Sequence, residues 1–245
     1  MSRENRGLPE RLDVLLLLLA ATAGGMDAIS YLLAHVFPAN MTGNTVVLGL
    51  YLAHGDFAAT QRAAIVLGGY LLGAAAGMLL TGPGHTERVW TAGVTRAVAA
   101  EAVVLGLIDG LRHVAGPTPD DATVHALIAL SGVAMGMQSA AVLHLDVRGV
   151  STTYITGTLT NLVGGVVDRL RSPAPPKAGS ASPKAPPHPG LLALVWVVYL
   201  ASAAATGFLA TRRPVAAPLV PLGLVVAVTA AGAARHGPGR TARAA

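Results

Sequence analysis

The chain has 245 residues and a formal net charge of +5, with 53% hydrophobic and only 12% charged residues. A soluble domain usually devotes about a quarter of its residues to charge, so this composition excludes a water-soluble fold. The basic balance does not indicate a nucleic-acid partner, because Lys and Arg fall in short connections between apolar runs and aromatic residues make up 4%. Cysteine is absent, which excludes disulfides, thiolate catalysis and cysteine-based metal sites.

Apolar runs of roughly the 20 residues needed to cross a bilayer recur along the chain. The strong runs are 12–34, 62–82, 91–114, 122–145, 191–211 and 215–234. Two weaker runs, 36–54 and 150–167, are rich in Thr, Asn and Gly. We therefore predict an all-α, polytopic helical membrane protein with six to eight transmembrane segments. Each weak run is a crossing helix, a broken helix or a re-entrant segment.

The basic residues predict the orientation. With eight crossings and the N-terminus inside, 12 of the 17 Lys and Arg residues lie on the inner side, and with six crossings 13 do. Both counts predict a multi-pass protein of the plasma membrane with cytoplasmic termini. The charge rule does not decide between six and eight crossings.

The segments outside the membrane are short. We predict a cytoplasmic N-terminus at 1–11, a basic cytoplasmic tail at 235–245 and an extended cytoplasmic linker at 172–190, which contains seven prolines. The first run resembles a signal peptide at its start. We expect it to be retained, because its apolar stretch continues to Ala34 and contains the start of a repeat.

Two related halves are indicated by a repeated pattern. The sequence Gly25-Met26-Asp27-Ala28 is echoed by Gly136-Met137-Gln138-Ser139, and each is followed in the next weak run by a Thr-Gly pair, Thr42-Gly43 or Thr156-Gly157. Two strong runs follow each pair. We predict an internal repeat with halves at 12–114 and 122–234, inverted if each half crosses three times and parallel if each crosses four times.

These residues resemble the YoaK-like family of bacterial multi-pass membrane proteins. The resemblance rests on Gly25–Leu32, Phe37, Asn40–Asn44 with Leu48-Gly49, and Thr153–Thr160, and it extends over about 12–234. It implies a membrane protein, and the family carries no established activity. The proline-rich linker departs from the family pattern.

Asp27 is the leading candidate for a functional residue. A carboxylate near the centre of a transmembrane helix costs about 2.5 to 3.5 kcal/mol to insert, so it usually faces a cavity or a partner. The position of Asp27 predicts one of two roles. The residue is a site for a proton or a cation, or it forms a structural ion pair between helices. Its counterpart Gln138 keeps a polar group without the charge.

The two Thr-Gly elements are candidates for a substrate or ion site. Glycine allows a helix to unwind, and unwound backbone offers polar groups to a ligand. The alternative is that the hydroxyls and amides only bond neighbouring helices. With Asp27 and Gln138, the candidate binding residues are Asn40, Thr42, Gly43, Asn44, Thr156, Gly157, Thr158, Thr160 and Asn161.

Glu101 lies near the middle of the fourth strong run and is a candidate proton relay, with Arg96 as a poorly spaced partner. No His-x3-His, HExxH, nucleotide-binding loop or nucleophile elbow occurs. The sequence therefore predicts no catalytic residue, no metal and no cofactor, and a protein that is not an enzyme.

The function predicted from these residues is a secondary transporter or permease for a small solute, coupled to a proton or a cation. The alternative is a membrane scaffold or regulatory protein without transport. The expected partners are the lipid bilayer, an unidentified solute or ion and a second copy of the chain, but no nucleic acid.

Overall fold

In the computed structural model, residues 7–82, 90–145, 155–171 and 189–235 are described, and their regular structure is helical throughout. The helices are α1 (Gly7–Ala34), α2 (Met41–His54), α3 (Phe57–Thr81), α4 (Ala92–Ala115), α5 (Asp121–His144), α6 (Ile155–Arg171), α7 (Pro189–Arg212) and α8 (Leu219–Ala234). The predicted all-α fold is confirmed. Each strong apolar run corresponds to one of the longer helices or to α8, and the weak runs correspond to α2 and α6.

The helix boundaries follow local chemistry. α3 begins five residues earlier than predicted, at Phe57, because Asp56 accepts a hydrogen bond from the N–H of Ala59 and caps the helix. The predicted linker overlaps α7, which starts at Pro189, a residue suited to the first turn of a helix. The rest of that linker, both chain ends (1–6 and 236–245) and residues 150–154 of the second weak run lie outside the described residues.

Four of the described helices are long and apolar enough to cross a membrane by length and composition. They are α1 from Leu12, α3, α5 and α7. α4 has a similar length but carries Arg96, Glu101, Asp109 and Arg112. α8 is apolar but has only 16 residues.

Two central helices, α1 and α5, pack in opposite directions. The amide Nε2 of Gln138 in α5 donates to the carbonyl of Leu19 in the first half of α1 at 3.0 Å. At the other end of the pair, Ala34 of α1 packs in one apolar cluster with Ile128 of α5. Higher residue numbers in α1 therefore meet lower numbers in α5.

α3 packs against α5 in the same direction, through glycines that bring the two backbones together. A Cβ added at Gly69 would meet the carbonyl of Ala129, and one added at Gly73 would meet the carbonyl of Val133. On α5, a Cβ added at Gly136 would meet the carbonyl of Tyr70. Glycines spaced by four residues on each helix, Gly69 with Gly73 and Gly132 with Gly136, are thus in contact across this pair.

α7 packs against α1, also in the same direction. Gly24 lies against the carbonyl of Tyr199, and Ala28, one turn later, lies beside Gly207. Each central helix is therefore covered by a helix from the other half of the chain, α5 by α3 and α1 by α7. The two halves interlock.

These directions determine where α2 begins and ends. Because α3 runs with α5 and α5 runs against α1, α3 also runs against α1. Only Gly55 and Asp56 separate α2 from α3. The end of α1 and the start of α3 accordingly lie on the same side of the bundle, and α2 does not traverse it.

The remaining pair, α4 and α8, lies antiparallel. Gly232 near the end of α8 contacts the indole of Trp90 just before α4, whereas Pro218 before α8 shares a cavity with Arg112 near the end of α4. α4 packs against α5, and α8 packs against α1.

Candidate functional site

Asp27 joins three parts of the molecule. Its side chain is 4% exposed. The oxygen Oδ1 accepts a hydrogen bond from the backbone N–H of Ala39 at 2.7 Å, and Oδ2 accepts one from the hydroxyl of Tyr199 in α7 at 2.5 Å. The carboxylate therefore ties α1 to α7 and to the connection before α2.

The connection between α1 and α2 folds back into the bundle. Asp27 lies seven residues before the end of α1, which corresponds to about 10 Å along the helix axis. Since Ala39 contacts Asp27, residues 35–40 return along α1 toward the middle of the bundle before α2 starts. α2 then runs back to the side where α1 ended. The chain thus enters the bundle and leaves it on the same side, which is the geometry expected of a re-entrant helix.

Asn44 holds the folded-back connection in place. Its Oδ1 accepts from the N–H of Phe37 at 2.9 Å, and its Nδ2 donates to the carbonyl of the same residue at 2.7 Å. The ring of Phe37 stacks on Tyr31, with centroids 4.9 Å apart. Asn44 is fully buried. One amide therefore satisfies both backbone groups of a residue that has left the helix.

The other residues of the first Thr-Gly element lie closer to the surface of the bundle than Asn44 does. Asn40 is the N-cap of α2 and accepts from the N–H of Gly43 at 3.2 Å. A Cβ on Gly43 would lie 3.2 Å from the Asn40 amide nitrogen, so the cap favours glycine there. Asn40 and Thr42 are exposed. Asn44 is the residue of this element that faces the interior.

The second half has a similar arrangement with different chemistry. Gln138 is fully buried on α5 and bonds the backbone of α1 through Leu19. Thr158, which follows its Thr-Gly pair as Asn44 does, is 1% exposed. The flanking candidates Thr156, Thr160 and Asn161 are exposed, and Gly157 is half-buried.

The predicted site residues form two groups. α2 packs mainly against α3, and α6 packs mainly against α7, so the Thr-Gly elements lie in separate parts of the bundle. Asp27 contacts the first element's connection through Ala39. Gln138 lies on the neighbouring central helix and contacts α1 instead.

Glu101 on α4 is fully buried, and neither carboxylate oxygen has a hydrogen-bond partner among the described residues. The pairing with Arg96 is not formed, and Arg96 is exposed. Within the described ranges, Oδ2 of Asp109 lies 3.4 Å from Nδ1 of His113, one turn later on the same helix. Glu101 is thus a buried carboxyl group whose polar atoms no described residue satisfies.

Sequence reasoning missed the polar face of α7. Tyr199 bonds Asp27, Ser202 donates to the carbonyl of Ala21 at 2.6 Å, and the buried hydroxyl of Thr206 has no partner among the described residues. These three positions are spaced by three and four residues, which places them on one helix face. That spacing inside an apolar run was the available signal.

A cavity of about 240 Å³ lies beside this site, on the side of the bundle where α1 ends. Arg112 of α4 lines it and is 6% exposed. We call it the Arg112 cavity. Its other walls come from α1, α4, α5, the end of α7 and the connections that follow α4 and α7, namely Met26, Ile29, Ser30, Leu32, Leu33, Ile108, Pro117, Leu127, Ser131, Ala210, Pro214 and Pro218.

The part of the chain that the structure describes contains no group of three or more His, Cys, Asp or Glu residues able to hold a metal. The polar chemistry of the interior therefore rests on isolated carboxylates, amides and hydroxyls. Asp27 is the carboxylate that the surrounding backbone and side chains hold in place.

A family of proteins of unknown function, DUF1275, has a model that matches residues 15–231 of the chain. The chain belongs to the DUF1275 family. It is also 38% identical over 159 residues to the UPF0700 transmembrane protein YoaK of Bacillus subtilis (strain 168), covering 64% of this chain and 68% of that relative. No solved structure matches the chain. The resemblance to YoaK-like proteins is confirmed, and the chain is a membrane protein of the uncharacterised DUF1275 family.

Proposed function

We propose that this protein is a secondary transporter or permease for a small solute, with transport coupled to protons through Asp27. The observation that carries the proposal is the contact of one buried carboxylate with both a re-entrant connection and a neighbouring helix. Buried ionisable groups in membrane helices commonly mark ion or proton pathways.

Protonation of Asp27 changes the contacts it can make. The ionised carboxylate accepts hydrogen bonds from Ala39 and Tyr199 at the same time. A protonated carboxyl carries a donor of its own and has weaker acceptors, so these bonds weaken. Proton binding thereby loosens the link between α1, α7 and the connection before α2, which supports a coupling role for Asp27.

The neighbours of Asp27 support a proton over a metal cation. Both bonds to the carboxylate come from donors, an N–H and an O–H. A bound Ca²⁺ or Mg²⁺ needs several oxygen ligands that point their lone pairs toward it. Glu101, buried without a hydrogen-bond partner among the described residues, is a second candidate for the proton path.

An inverted internal repeat belongs to the same proposal. In such a repeat, α1, α2, α3 and α4 correspond to α5, α6, α7 and α8 in that order. The contact of α3 with α5 then corresponds to that of α7 with α1, and the contact of α2 with α3 corresponds to that of α6 with α7. All these pairs are present, and α1 runs against α5. Three crossings in each half account for these directions, and inverted repeats of this kind are frequent in secondary transporters.

We infer six crossings, with α2 and α6 as re-entrant helices, and both termini on the cytoplasmic side of the plasma membrane. In this topology 13 of the 17 basic residues lie inside, in agreement with the positive-inside rule. The end of α1, the start of α3 and the Arg112 cavity then belong to the outer side.

The test is proton flux in liposomes. Purified protein is reconstituted with a pH-sensitive dye inside, and a panel of small amino acids, carboxylates, sugars and amines is added outside. We expect at least one solute to move protons in the wild type and Asp27→Asn to abolish that movement. Asp56→Asn is the matched control, because it removes an exposed carboxylate and keeps a good helix cap.

Two results would overturn the proposal. One is the absence of solute-dependent proton movement in the wild type together with an intact cellular phenotype in Asp27→Asn. The other is equal flux in wild type and Asp27→Asn. Thermal unfolding of each variant in detergent separates a lost function from a lost fold.

A scaffold without transport is favoured by the surroundings of the two Thr-Gly elements. The amide of Asn44 is bonded to the backbone of Phe37. The side chains of Thr42 and Thr156 are exposed. The Arg112 cavity lies away from both Thr-Gly elements. Deleting 173–188 is expected to abolish the cellular phenotype of a scaffold and to leave a transporter active. Asn44→Ala is expected to do the reverse.

A further inference from the structure

Arg112 places a positive charge beside a cavity without a counter-charge. The residue is 6% exposed, and no carboxylate of the described residues lies within ion-pair distance of it. The nearest acidic residue along α4, Asp109, pairs with His113 instead. A buried cation without an anionic partner is costly, because its hydration is lost and no opposite charge replaces it.

The guanidinium is held in a fixed orientation and keeps free donors. Nη1 donates to the carbonyl of Gly116 at 2.8 Å, and Nη2 donates to the carbonyl of Pro117 at 3.2 Å. Both carbonyls belong to residues that follow directly after α4, so the side chain reaches over the C-terminal end of its own helix. An arginine has five N–H donors, and these two bonds leave donors available for a ligand.

The rest of the cavity combines hydroxyls with apolar walls. Ser30 and Ser131 contribute hydroxyls, while Met26, Ile108 and Leu127 contribute apolar surface. The hydroxyl of Ser131 donates to the carbonyl of Leu127, so it donates to a ligand only after its proton rotates away from that carbonyl. A volume of 240 Å³ corresponds to about eight water molecules. The space suits a molecule of a few carbon atoms.

We propose that the Arg112 cavity binds a small monocarboxylate. The carboxylate accepts two parallel N–H bonds from the guanidinium, a geometry that arginine provides and lysine does not. The short alkyl part lies against Met26, Ile108 and Leu127. A single buried cation matches one negative charge. This proposal concerns binding alone, and it stands whether or not the protein moves solutes.

The test is binding of sodium butyrate to the full-length protein in a neutral detergent, measured by calorimetry at constant ionic strength. We expect saturable binding, with butyramide, its neutral analogue of the same size, at least about tenfold weaker. Arg112→Gln is expected to lose butyrate binding, and Arg112→Lys to weaken it. Arg213→Gln, which removes an exposed arginine from the α7–α8 connection, is the matched control and binds as the wild type does.

A second variant separates binding from folding, because Arg112→Gln also disturbs the bonds to Gly116 and Pro117. Ser131→Leu fills the cavity and leaves the guanidinium and both carbonyls in place. It is expected to abolish butyrate binding. Equal binding of butyrate and butyramide, full displacement of butyrate by equimolar chloride, or undiminished binding in Ser131→Leu would each overturn the proposal.

Discussion

The two halves of this protein bury a polar side chain at the same place in their central helices, but only one of these side chains can be charged. Asp27 on α1 bonds a re-entrant connection and a hydroxyl of α7, whereas Gln138 on α5 bonds the backbone of α1. The difference teaches that the acidic group at this position occurs in the first half alone, while the second half has a polar contact made by a neutral amide.

The largest expected effect concerns the helix pairs that hold the halves together. On α3, a Cβ at Gly69 would meet the backbone of Ala129, which has no room to yield. We expect Gly69→Ala to lower the free energy of unfolding by about 3 kcal/mol. Its neighbour Gly68 has nothing within 4 Å, so Gly68→Ala should be neutral or slightly stabilising. Thermal unfolding in detergent measures both.

The α1–α7 pair provides the comparison for this interface. A Cβ at Gly25 would lie 3.1 Å from the hydroxyl of Thr206, a side chain that can shift. Gly25→Ala is expected to cost about 1 kcal/mol. Equal losses for Gly25→Ala and Gly69→Ala would show that the side chain of Thr206 yields no more readily than the backbone of Ala129.

The second effect concerns the residues after the two Thr-Gly pairs. Asn44→Ala leaves the N–H of Phe37 without a partner and leaves its carbonyl with the N–H of Asn40 alone, and we expect it to cost about 2 kcal/mol. Thr158→Ala removes a single hydroxyl and is expected to cost about 1 kcal/mol. Hydrogen exchange at Phe37 should rise in the first variant and remain unchanged in the second.

A smaller effect is expected from the phenol that bonds Asp27. Tyr199→Phe removes one hydrogen bond to the carboxylate and keeps the ring, at an expected cost of about 1.5 kcal/mol. The N–H of Ala39 remains as a partner, so proton flux should be reduced rather than abolished. Gln138→Leu tests the other half and should leave the pH dependence of flux unchanged. A lost pH dependence in that variant would contradict the division between the halves.

The smallest effect concerns a titratable group in the connection between α4 and α5. Asp120 is exposed and caps α5, and hydrogen bonds from Thr123 hold the pKa of its carboxyl below the ordinary value. A lowered pKa in the folded state means that the ionised cap stabilises the fold above the unfolded pKa of about 3.9. This contribution is lost as the pH falls through the folded pKa. Asp120→Asn should remove this acid dependence and retain the cap, as thermal unfolding across that pH range will show.

The helices themselves were largely predictable from the sequence, since each apolar run became a helix. Two helices begin at residues other than those predicted, for local reasons. Asp56 caps α3, which therefore begins earlier, and Pro214 and Pro218 precede α8, which begins later. The direction of α2 was not predictable. Arg62 and Arg112 change sides between the two topologies, and the charge rule is satisfied in both.

The candidate site was predictable only in part. A carboxylate in an apolar run identifies Asp27 whatever its partners are. Tyr199 is 172 residues away in sequence, and nothing local indicates which helix will face Asp27. The cavity at Arg112 was not predictable either, because helices from both halves form its walls.

The interlocking of the halves has a consequence for biosynthesis. Asp27 enters the membrane with α1, but its partner Tyr199 is made 172 residues later. At about 5 to 20 residues per second, the ribosome needs roughly 10 to 35 s to reach it. During that time α1 carries a carboxylate whose permanent helix partner does not yet exist. Among the bonds to Asp27 in the described part of the fold, the one from the N–H of Ala39 has a donor only 12 residues away and is therefore available first.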